Sequence, residues 1–338
     1  MFVALALLAT ALPALAWNNS SQYLSGLGQA LQDAGLTTLG SQTSRLNNSI
    51  LGRALLAKLV LGNYTLFAPD NEAFANATNY SSLSNDDNLF ALTILYHIVS
   101  GNFSANNGTN ATLEAETYPN VTIGRTLLDD PSVVQLEGNK SQVLVGVTST
   151  GKSRCTTNRA FLQLYFEFLF TVRVRTSVSV QNSTLVENLL VNRINGVLLI
   201  PPNVSDVLAA QNLTYLAGIL DSTTVTSSNG TNETITNLLD GDSVYGFTFF
   251  APDNAAIELG RLVVDQSFNG TTIYSPSITA SENLTSAGGE PLTFTTNSSG
   301  VFVNSGGSSA RIIKTDILCK NGVLHMLDRV LINTEDQS

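Results

Sequence analysis

Apolar residues recur at helical spacing early in each half of the chain, and they alternate with polar residues later in each half. Helical spacing covers residues 23–34 and 50–61 in the first half and 204–220 in the second. Strand-like alternation, bounded by Gly, Ser and Asn turns, covers residues 293–295 and 301–303. Helices followed by strands predict an α+β fold rather than a series of βαβ units.

A ten-residue motif, called the first motif below, occurs twice. Residues 65–74 read TLFAPDNEAF and residues 248–257 read TFFAPDNAAI. In each copy a short apolar strand ends at a proline, and the next residue can accept a hydrogen bond from the first free amides of a helix. We therefore interpret Asp70 and Asp253 as helix caps. The positions assigned to the first motif are Thr65, Phe67, Ala68, Pro69, Asp70, Asn71, Phe74, Thr248, Phe250, Ala251, Pro252, Asp253 and Asn254.

A second motif also occurs twice, later in each half. Residues 195–202 read NGVLLIPP and residues 321–331 read NGVLHMLDRVL, so that the two Asn-Gly pairs align. The apolar run 323–332 predicts a closing strand. Both motifs come in the same order in each half, which indicates a tandem duplication of one domain. The positions assigned to the second motif are Asn195, Gly196, Asn321, Gly322, His325 and Asp328.

The two motifs resemble the signature boxes of the fasciclin-like domain family. That family also places a Tyr-His pair between its boxes, which Tyr96 and His97 match in the first half and no residues match in the second. The resemblance implies two domains, each a β-sandwich-like wedge with helices packed on one side, and a role in adhesion. In some members it implies that the Tyr-His pair contributes to a partner surface. The residues alone favour a hydrogen-bonded histidine at the domain edge.

The start of the chain and its asparagines indicate secretion. Residues 1–16 are apolar and end in a small-x-small site, which is typical of a signal peptide cleaved after Ala16. The chain contains 19 Asn-x-Ser/Thr sequences, and we expect N-glycosylation at several of them. The glycosylation candidates are Asn63, Asn76, Asn107, Asn120, Asn212, Asn232 and Asn283.

Composition excludes several classes of protein. A net charge of −10 and a pI near 4.6 argue against nucleic-acid binding. Two cysteines cannot form a disulfide framework, although a single bridge between Cys155 and Cys319 stays open. No apolar run of membrane-spanning length follows residue 16, and residues 332–338 lack the hydrophobic tail of a lipid-anchor signal. We therefore expect a freely secreted protein, unless such an anchor signal has been lost from the sequence.

Spacing shows where the two halves differ. The distance from Asp70 to Asn195 is 125 residues, whereas Asp253 to Asn321 is 68. We predict a first domain at 17–202 with an atypical insert at 151–175, a second domain at 203–333 that is shortened after Ile257, and a tail at 334–338. The shortening removes a helix and the Tyr-His pair.

Three interpretations compete for residues 151–175, which hold five of the 16 basic residues and five aromatic residues. The segment could touch a membrane interface, or it could add a strand or helix to the core. The hypothesis that we favour is a translated, unspliced intron. A transcript that consistently encodes this segment would contradict the intron hypothesis.

Catalytic motifs are scarce, so we predict a protein that is not an enzyme and binds no cofactor. His97 and His325 are the only histidines, and neither HExxH nor GxSxG occurs. Residues 146–153 match a phosphate-loop pattern but lack a βαβ context. The predicted partners are cell-surface or matrix proteins or polysaccharides. The alternative is an extracellular small-molecule- or polysaccharide-binding protein, or a minor hydrolase, with a pocket near Tyr96 and His97.

Overall fold

The computed structural model describes residues 22–77, 80–101, 103, 121–149, 152–156, 178, 180–226, 230, 232–259, 267–278, 284–286 and 289–331. The predicted signal peptide (1–16) and C-terminal tail (334–338) lie outside these residues. Of the unusual segment 151–175, only 152–156 is described, and it forms a strand.

The first domain begins with helices, as the apolar spacing predicts. Ser49 caps the helix at Ile50–Leu59 by accepting a hydrogen bond from the Gly52 amide at 2.8 Å. The helices are α1 (22–33), α2 (Thr37–Gln42), a 3-10 helix (Thr43–Asn48), α3 (Ile50–Leu59), α4 (Asn71–Ala75), α5 (Tyr80–Asn85) and α6 (Asp87–His97).

The strands of the first domain form two separate sheets. One has the order β2-β1-β7-β6, with β1 parallel to β7, and the other has the antiparallel order β3-β4-β5. The strands are β1 (Tyr64–Pro69), β2 (Ile98–Ser100), β3 (Val121–Arg125), β4 (Val143–Ser149), β5 (Lys152–Thr156), β6 (Val180–Val186) and β7 (Leu189–Ile194).

The second domain places its corresponding strands in one sheet, with the order β11-β10-β16-β15-β14-β13-β12. Its helices are α7 (Val204–Ala210), α8 (Thr214–Ser222), α9 (Ile235–Asp240), α10 (Asn254–Leu259) and α11 (Ser275–Ile278). Its strands are β8 (Thr224–Thr226), β9 (Asn232–Thr234), β10 (Phe247–Pro252), β11 (Ser267–Asn269), β12 (Leu284–Thr285), β13 (Pro291–Asn297), β14 (Gly300–Ser305), β15 (Ser308–Cys319) and β16 (Gly322–Leu327).

Each domain buries a core of its own. The first packs α1, α3 and α6 onto β1 and β7 around residues such as Leu55 and Phe67. In the second, Phe249 belongs to a cluster with α7 and α8, while its neighbour Phe250 belongs to a cluster with β13, β14 and β15. Because neighbouring residues of a strand point to opposite faces of the sheet, β10 contributes side chains to the core on both faces.

The predicted α+β order with two domains is confirmed, and several details differ from the prediction. The helix expected at 204–220 is divided into α7 and α8, because Asn212 has a left-handed backbone (φ 57°) that interrupts it. The closing strand β16 ends at Leu327 instead of residue 332. Residues 146–149 and 152–153 of the phosphate-loop pattern lie in the paired strands β4 and β5, so the pattern leads into a strand and not into a helix that could bind phosphate.

Candidate functional site

The aspartates of the first motif are helix caps, as predicted. Asp70 Oδ1 accepts a hydrogen bond from the Ala73 amide at 2.7 Å, and Asp253 Oδ1 accepts one from the Ala256 amide at 2.7 Å. Each carboxylate therefore satisfies a free amide in the first turn of α4 or α10. This contact gives both residues a structural role.

The asparagines that follow tie two helices together in each domain. Asn71 Oδ1 accepts from the Thr38 amide at 2.9 Å, and its Nδ2 donates to Gly35 O at 3.2 Å. Asn254 does the same for α8, because its Oδ1 accepts from the Tyr215 amide at 3.2 Å and its Nδ2 donates to the Asn212 carbonyl at 2.8 Å. The side-chain amide is needed because it is donor and acceptor at once.

The threonines that open the motif hold the returning chain against the sheet. Thr65 Oγ1 donates to Gly101 O at 2.7 Å and accepts from the Phe103 amide at 2.7 Å. Thr248 Oγ1 donates to Thr271 O at 2.9 Å and accepts from the Ile273 amide at 2.8 Å. Both hydroxyl groups are used in both directions, so neither is available as a nucleophile.

The alignment of Asn195 and Gly196 with Asn321 and Gly322 was wrong by seven residues. β1 pairs Thr65 with Leu190, and β10 pairs Thr248 with Val323, so the position of Asn321 is occupied in the first domain by Asn188. The contacts agree with this register. Asn188 Nδ2 donates to the carbonyls of Leu59 and Gly62 at 2.8 and 2.9 Å, and Asn321 Nδ2 donates to those of Leu239 and Val244 at 2.7 and 3.3 Å.

The corrected register aligns His325 with Asn192. Asn192 Nδ2 donates to Phe103 O at 2.6 Å, and His325 Nε2 lies 2.9 Å from Ile273 O, the equivalent carbonyl. An amide in one domain thus performs the task of an imidazole in the other. His325 also stacks on Phe250 with ring centroids 5.4 Å apart.

Tyr96 and His97 are fully buried, so the expectation of a partner surface at this pair is wrong. Tyr96 Oη donates to Val143 O at 3.2 Å. His97 Nδ1 donates to Thr93 O at 2.7 Å, and its Nε2 accepts from the Leu198 amide at 2.9 Å. Burial lowers the pKa of His97 to about 4, since an imidazolium would be desolvated and would lose the amide bond. The structure thus confirms a hydrogen-bonded histidine, but the side chain is fully buried and does not lie at the domain edge.

A serine, an aspartate and the second histidine meet in the second domain, but not as a hydrolase triad. Ser275 donates its amide (2.7 Å) and its hydroxyl to the carboxylate of Asp316. The imidazole of His325 instead accepts from the Asp316 amide at 3.3 Å. Catalysis by a triad needs the serine on the imidazole, in reach of substrate. All three residues are buried, and burial lowers the pKa of His325.

The helices of the first domain enclose a small apolar cavity. It has a volume of about 20 Å³, near the size of one water molecule, and it is lined by residues such as Leu31, Leu46 and Phe90 but not by Tyr96 or His97. No cluster of three or more His, Cys, Asp or Glu in the described ranges is placed to hold a metal ion. Cys319 is buried as a free thiol, and burial raises its pKa.

The polar contacts between the domains use backbone groups as much as side chains. Gln135 donates its amide to Lys320 O at 3.0 Å, accepts from the Gly246 amide at 3.1 Å and donates from Nε2 to Asp242 Oδ1 at 2.6 Å. Gln142 Nε2 donates to Cys319 O at 3.0 Å. Gly246 has φ 70°, and a Cβ there would lie 2.9 Å from a backbone nitrogen of the first domain, so glycine is required.

An apolar cluster lies beside these bonds. Ile123, Val143 and Val145 of the first domain pack against Tyr274, Leu318 and Val323 of the second. The guanidinium of Arg125 lies 5.7 Å from the centroid of the Tyr274 ring. Hydrophobic contact and backbone hydrogen bonding together hold the two domains in one arrangement.

The glycosylation candidates within the described ranges are on the surface. Asn63, Asn76, Asn212 and Asn232 are exposed. Asn107, Asn120 and Asn283 lie outside the described residues. The other exposed sequon asparagines are Asn47, Asn139, Asn182 and Asn297.

Comparison with known proteins agrees with the duplicated motifs. A model of the fasciclin domain matches residues 30–200 and 221–333. The chain belongs to the fasciclin domain family. Its two fasciclin domains correspond to the two cores described above. None of the helices in the described part of the chain is both long and apolar enough to cross a membrane.

Two known proteins are similar to this fasciclin-domain chain. A fasciclin-like arabinogalactan protein of Arthroderma benhamiae is 30% identical over 152 residues, which are 45% of this chain and 35% of that protein. The chain thus matches about a third of the length of that relative. A solved FAS1 domain pair from the insect cell adhesion molecule fasciclin I has 14% identity and a TM-score of 0.38, over 90% of this chain and 100% of that one.

The residues that join the fasciclin domains could not be recognised from the sequence. Gln135, Gln142 and Gly246 belong to no recognisable motif, and apart from the bond between Gln135 Nε2 and the Asp242 carboxylate their hydrogen bonds are with backbone atoms of the other domain. Asn188 and Asn192 could have been found by aligning the β16 sequence with the first domain seven residues before Asn195, so that Asn321 matches Asn188. The repeated Asn-Gly pair at residue 195 concealed that alignment.

Proposed function

We propose that this protein is a secreted glycoprotein that mediates cell adhesion or attachment to extracellular matrix or cell wall through its two fasciclin domains. The observation that carries the proposal is the tandem pair itself: two domains of one family, held in one arrangement by a mixed polar and apolar interface. Two linked surfaces raise avidity for a repetitive partner, such as a polysaccharide or an array of cell-surface proteins.

Three further observations support an adhesive role over an enzymatic one. The motif residues Asp70, Asn71 and Thr65 are engaged in structural hydrogen bonds, and so are their counterparts in the second domain. Both histidines are buried. The exposed sequon asparagines lie on both domains, where glycans could be accommodated without disturbing either core.

Secretion and glycosylation are tested by expressing the full chain in a eukaryotic host and mapping glycopeptides from the medium. We expect a mature start at Trp17 and glycans at several exposed asparagines, among them Asn63 and Asn212. Intact mass before and after enzymatic removal of N-glycans gives the number of occupied sites. A protein that stays in the cell without glycans would overturn this part of the proposal.

Adhesion is tested with beads coated with the secreted chain. Their retention on immobilised cell-wall polysaccharide, matrix protein or whole cells is compared with that of beads coated with heat-denatured chain or serum albumin. We expect retention by native chain only, and enzymatic deglycosylation shows whether glycan or protein makes the contact. Equal retention by native and denatured chain on every surface would contradict an adhesive function.

A further inference from the structure

One strand of the second domain has two counterparts in the first. β15 is one strand of twelve residues that pairs with β14 near its start and with β16 towards its end. In the first domain β5 pairs with β4, and β6 pairs with β7. Residues 157–179 separate β5 from β6 in the sequence.

The β4 side gives the first equivalence. Lys152 is the first residue of β5 and is paired with Ser149, and Ser308 is the first residue of β15 and is paired with Ser305. Thr156 lies four residues past Lys152, and Ile312 lies four residues past Ser308. Thr156 therefore corresponds to Ile312.

The β7 side gives the second equivalence. Val180 is paired with Ile194, and Ile312 is paired with Leu327. Ile194 and Leu327 occupy the same place, because the carbonyl of each accepts a hydrogen bond from the amide of its first-motif aspartate, at 2.9 and 3.0 Å. Both ladders also have an irregularity directly after this pair. Val180 therefore corresponds to Ile312 as well.

Thr156 and Val180 thus compete for one position, and they are 24 residues apart. We propose that residues 152–175 interrupt a single strand, and that the first fasciclin domain folds without them. In the shortened chain, residues 176–180 take the place of β5 and continue directly into β6. The sheet then has the order β2-β1-β7-β6-β4-β3, which follows the second domain.

Side-chain type decides which 24 residues are extra. Ala310 and Ile312 are buried in the second domain. If residues 176–180 fill this part of the strand, Val178 and Val180 fall at those two positions, and Val178 is already buried. In the chain as it stands, β5 places Arg154 and Thr156 there. An arginine is a poor match for a position that the second domain fills with alanine.

The test compares the full chain with a variant lacking residues 152–175, both secreted from the same host. We expect the shortened protein to be secreted at least as well and its Tm to be a few degrees higher. The deletion removes a long insertion within one strand, and with it the entropy cost of closing that loop. Hydrogen exchange should show slow amides continuing from β6 back through residue 178. Aggregation, or a lower Tm than the full chain, would overturn the proposal.

Two matched deletions keep the proposal falsifiable. A variant lacking 152–176 has one residue too few to satisfy both ladders, so it should melt lower than the 152–175 deletion. A variant lacking 157–180 also loses 24 residues but leaves Arg154 at the Ala310 position, and it should melt lower too. If either control equals or exceeds the 152–175 deletion in Tm, the assigned segment is wrong.

Discussion

Equivalent positions of the equivalent strand differ in solvent exposure between the two domains. Leu318 in β15 is opposite Val323, and Leu185 in β6 is opposite Leu190, the equivalent pair of the first domain. Leu318 is 1% exposed because β3 and β4 of the first domain cover it, whereas Leu185 is 72% exposed. Both residues are leucines, so the difference comes from the neighbouring domain.

A second difference is the missing helix. The first domain follows its first motif with α5 and the eleven-residue α6, which carries Tyr96 and His97. Between α10 and β11 of the second domain only residues 260–266 intervene, too few for such a helix. The described part of the second domain therefore has no counterpart of α6.

The largest expected effect comes from charging the covered leucine. Leu318→Asp would bury an unpaired carboxylate in the domain interface, so we expect a loss of about 4 kcal/mol in the free energy of unfolding. Urea titration followed by circular dichroism measures this loss. Limited proteolysis should also cut the variant between its domains sooner than the parent.

The matched control is Leu185→Asp. Its side chain is largely in solvent, so the free energy of unfolding should change by no more than about 0.5 kcal/mol. Equal losses for the two variants would show that the first domain does not cover β15 in solution, and the comparison above would fail.

The next effect is a pH dependence that belongs to the first domain. Burial holds the pKa of His97 at about 4, below its value of about 6.5 in the unfolded chain. Between these values the unfolded state binds more protons than the native state, so stability rises with pH in this window. The stabilisation is fully present above about pH 6.5, and roughly 3 kcal/mol of the free energy of unfolding is lost on acidification to pH 4.

His97→Gln separates this residue from other titrating groups. Glutamine can still donate to Thr93 O and accept from the Leu198 amide, yet it does not titrate. Urea unfolding at steps between pH 7 and pH 4 should therefore show a flatter dependence for the variant than for the parent. Parallel curves would assign the acid sensitivity to another group.

A smaller effect tests the exchange of imidazole for amide at one position. His325→Asn reproduces the residue that the first domain uses, Asn192, and keeps a donor for Ile273 O. His325→Ala leaves that carbonyl and the Asp316 amide buried without a partner. We expect the asparagine variant to be more stable than the alanine variant by about 1–2 kcal/mol. Thermal unfolding of the pair at pH 7 measures the difference, and equal stabilities would refute the shared role.

Local chemistry explains what could be predicted from the sequence. A proline and an aspartate in series specify the end of a strand and a helix cap, so both copies of the first motif were recognised with these two structural roles. Those roles depend on neighbours within a few residues. The α+β order follows from apolar periodicity for the same reason.

Contacts distant in sequence account for what was missed. The burial of His97 depends on a hydrogen bond to Leu198, 101 residues away. The register of β7 depends on which strand lies beside it, and the Asn-Gly repeat at residue 195 gave a plausible but incorrect match. Several hydrogen bonds across the domain interface are accepted by backbone carbonyls, which every residue type carries, so the sequence does not mark them.

The smallest effect that we predict compares the two helix caps. Asp70→Ala and Asp253→Ala each remove one side-chain bond to an amide of the first turn, so each should cost about 1 kcal/mol, and the two losses should add because the sites lie in different domains. Asp→Ser at either position keeps an acceptor and should recover most of that loss, as measured by urea unfolding of the single and double variants. One result would contradict this interpretation: replacing one aspartate lowers stability as expected for a cap, whereas replacing the other lowers bead adhesion without lowering stability. The second aspartate would then contact a partner, and the first motif would be purely structural in only one domain.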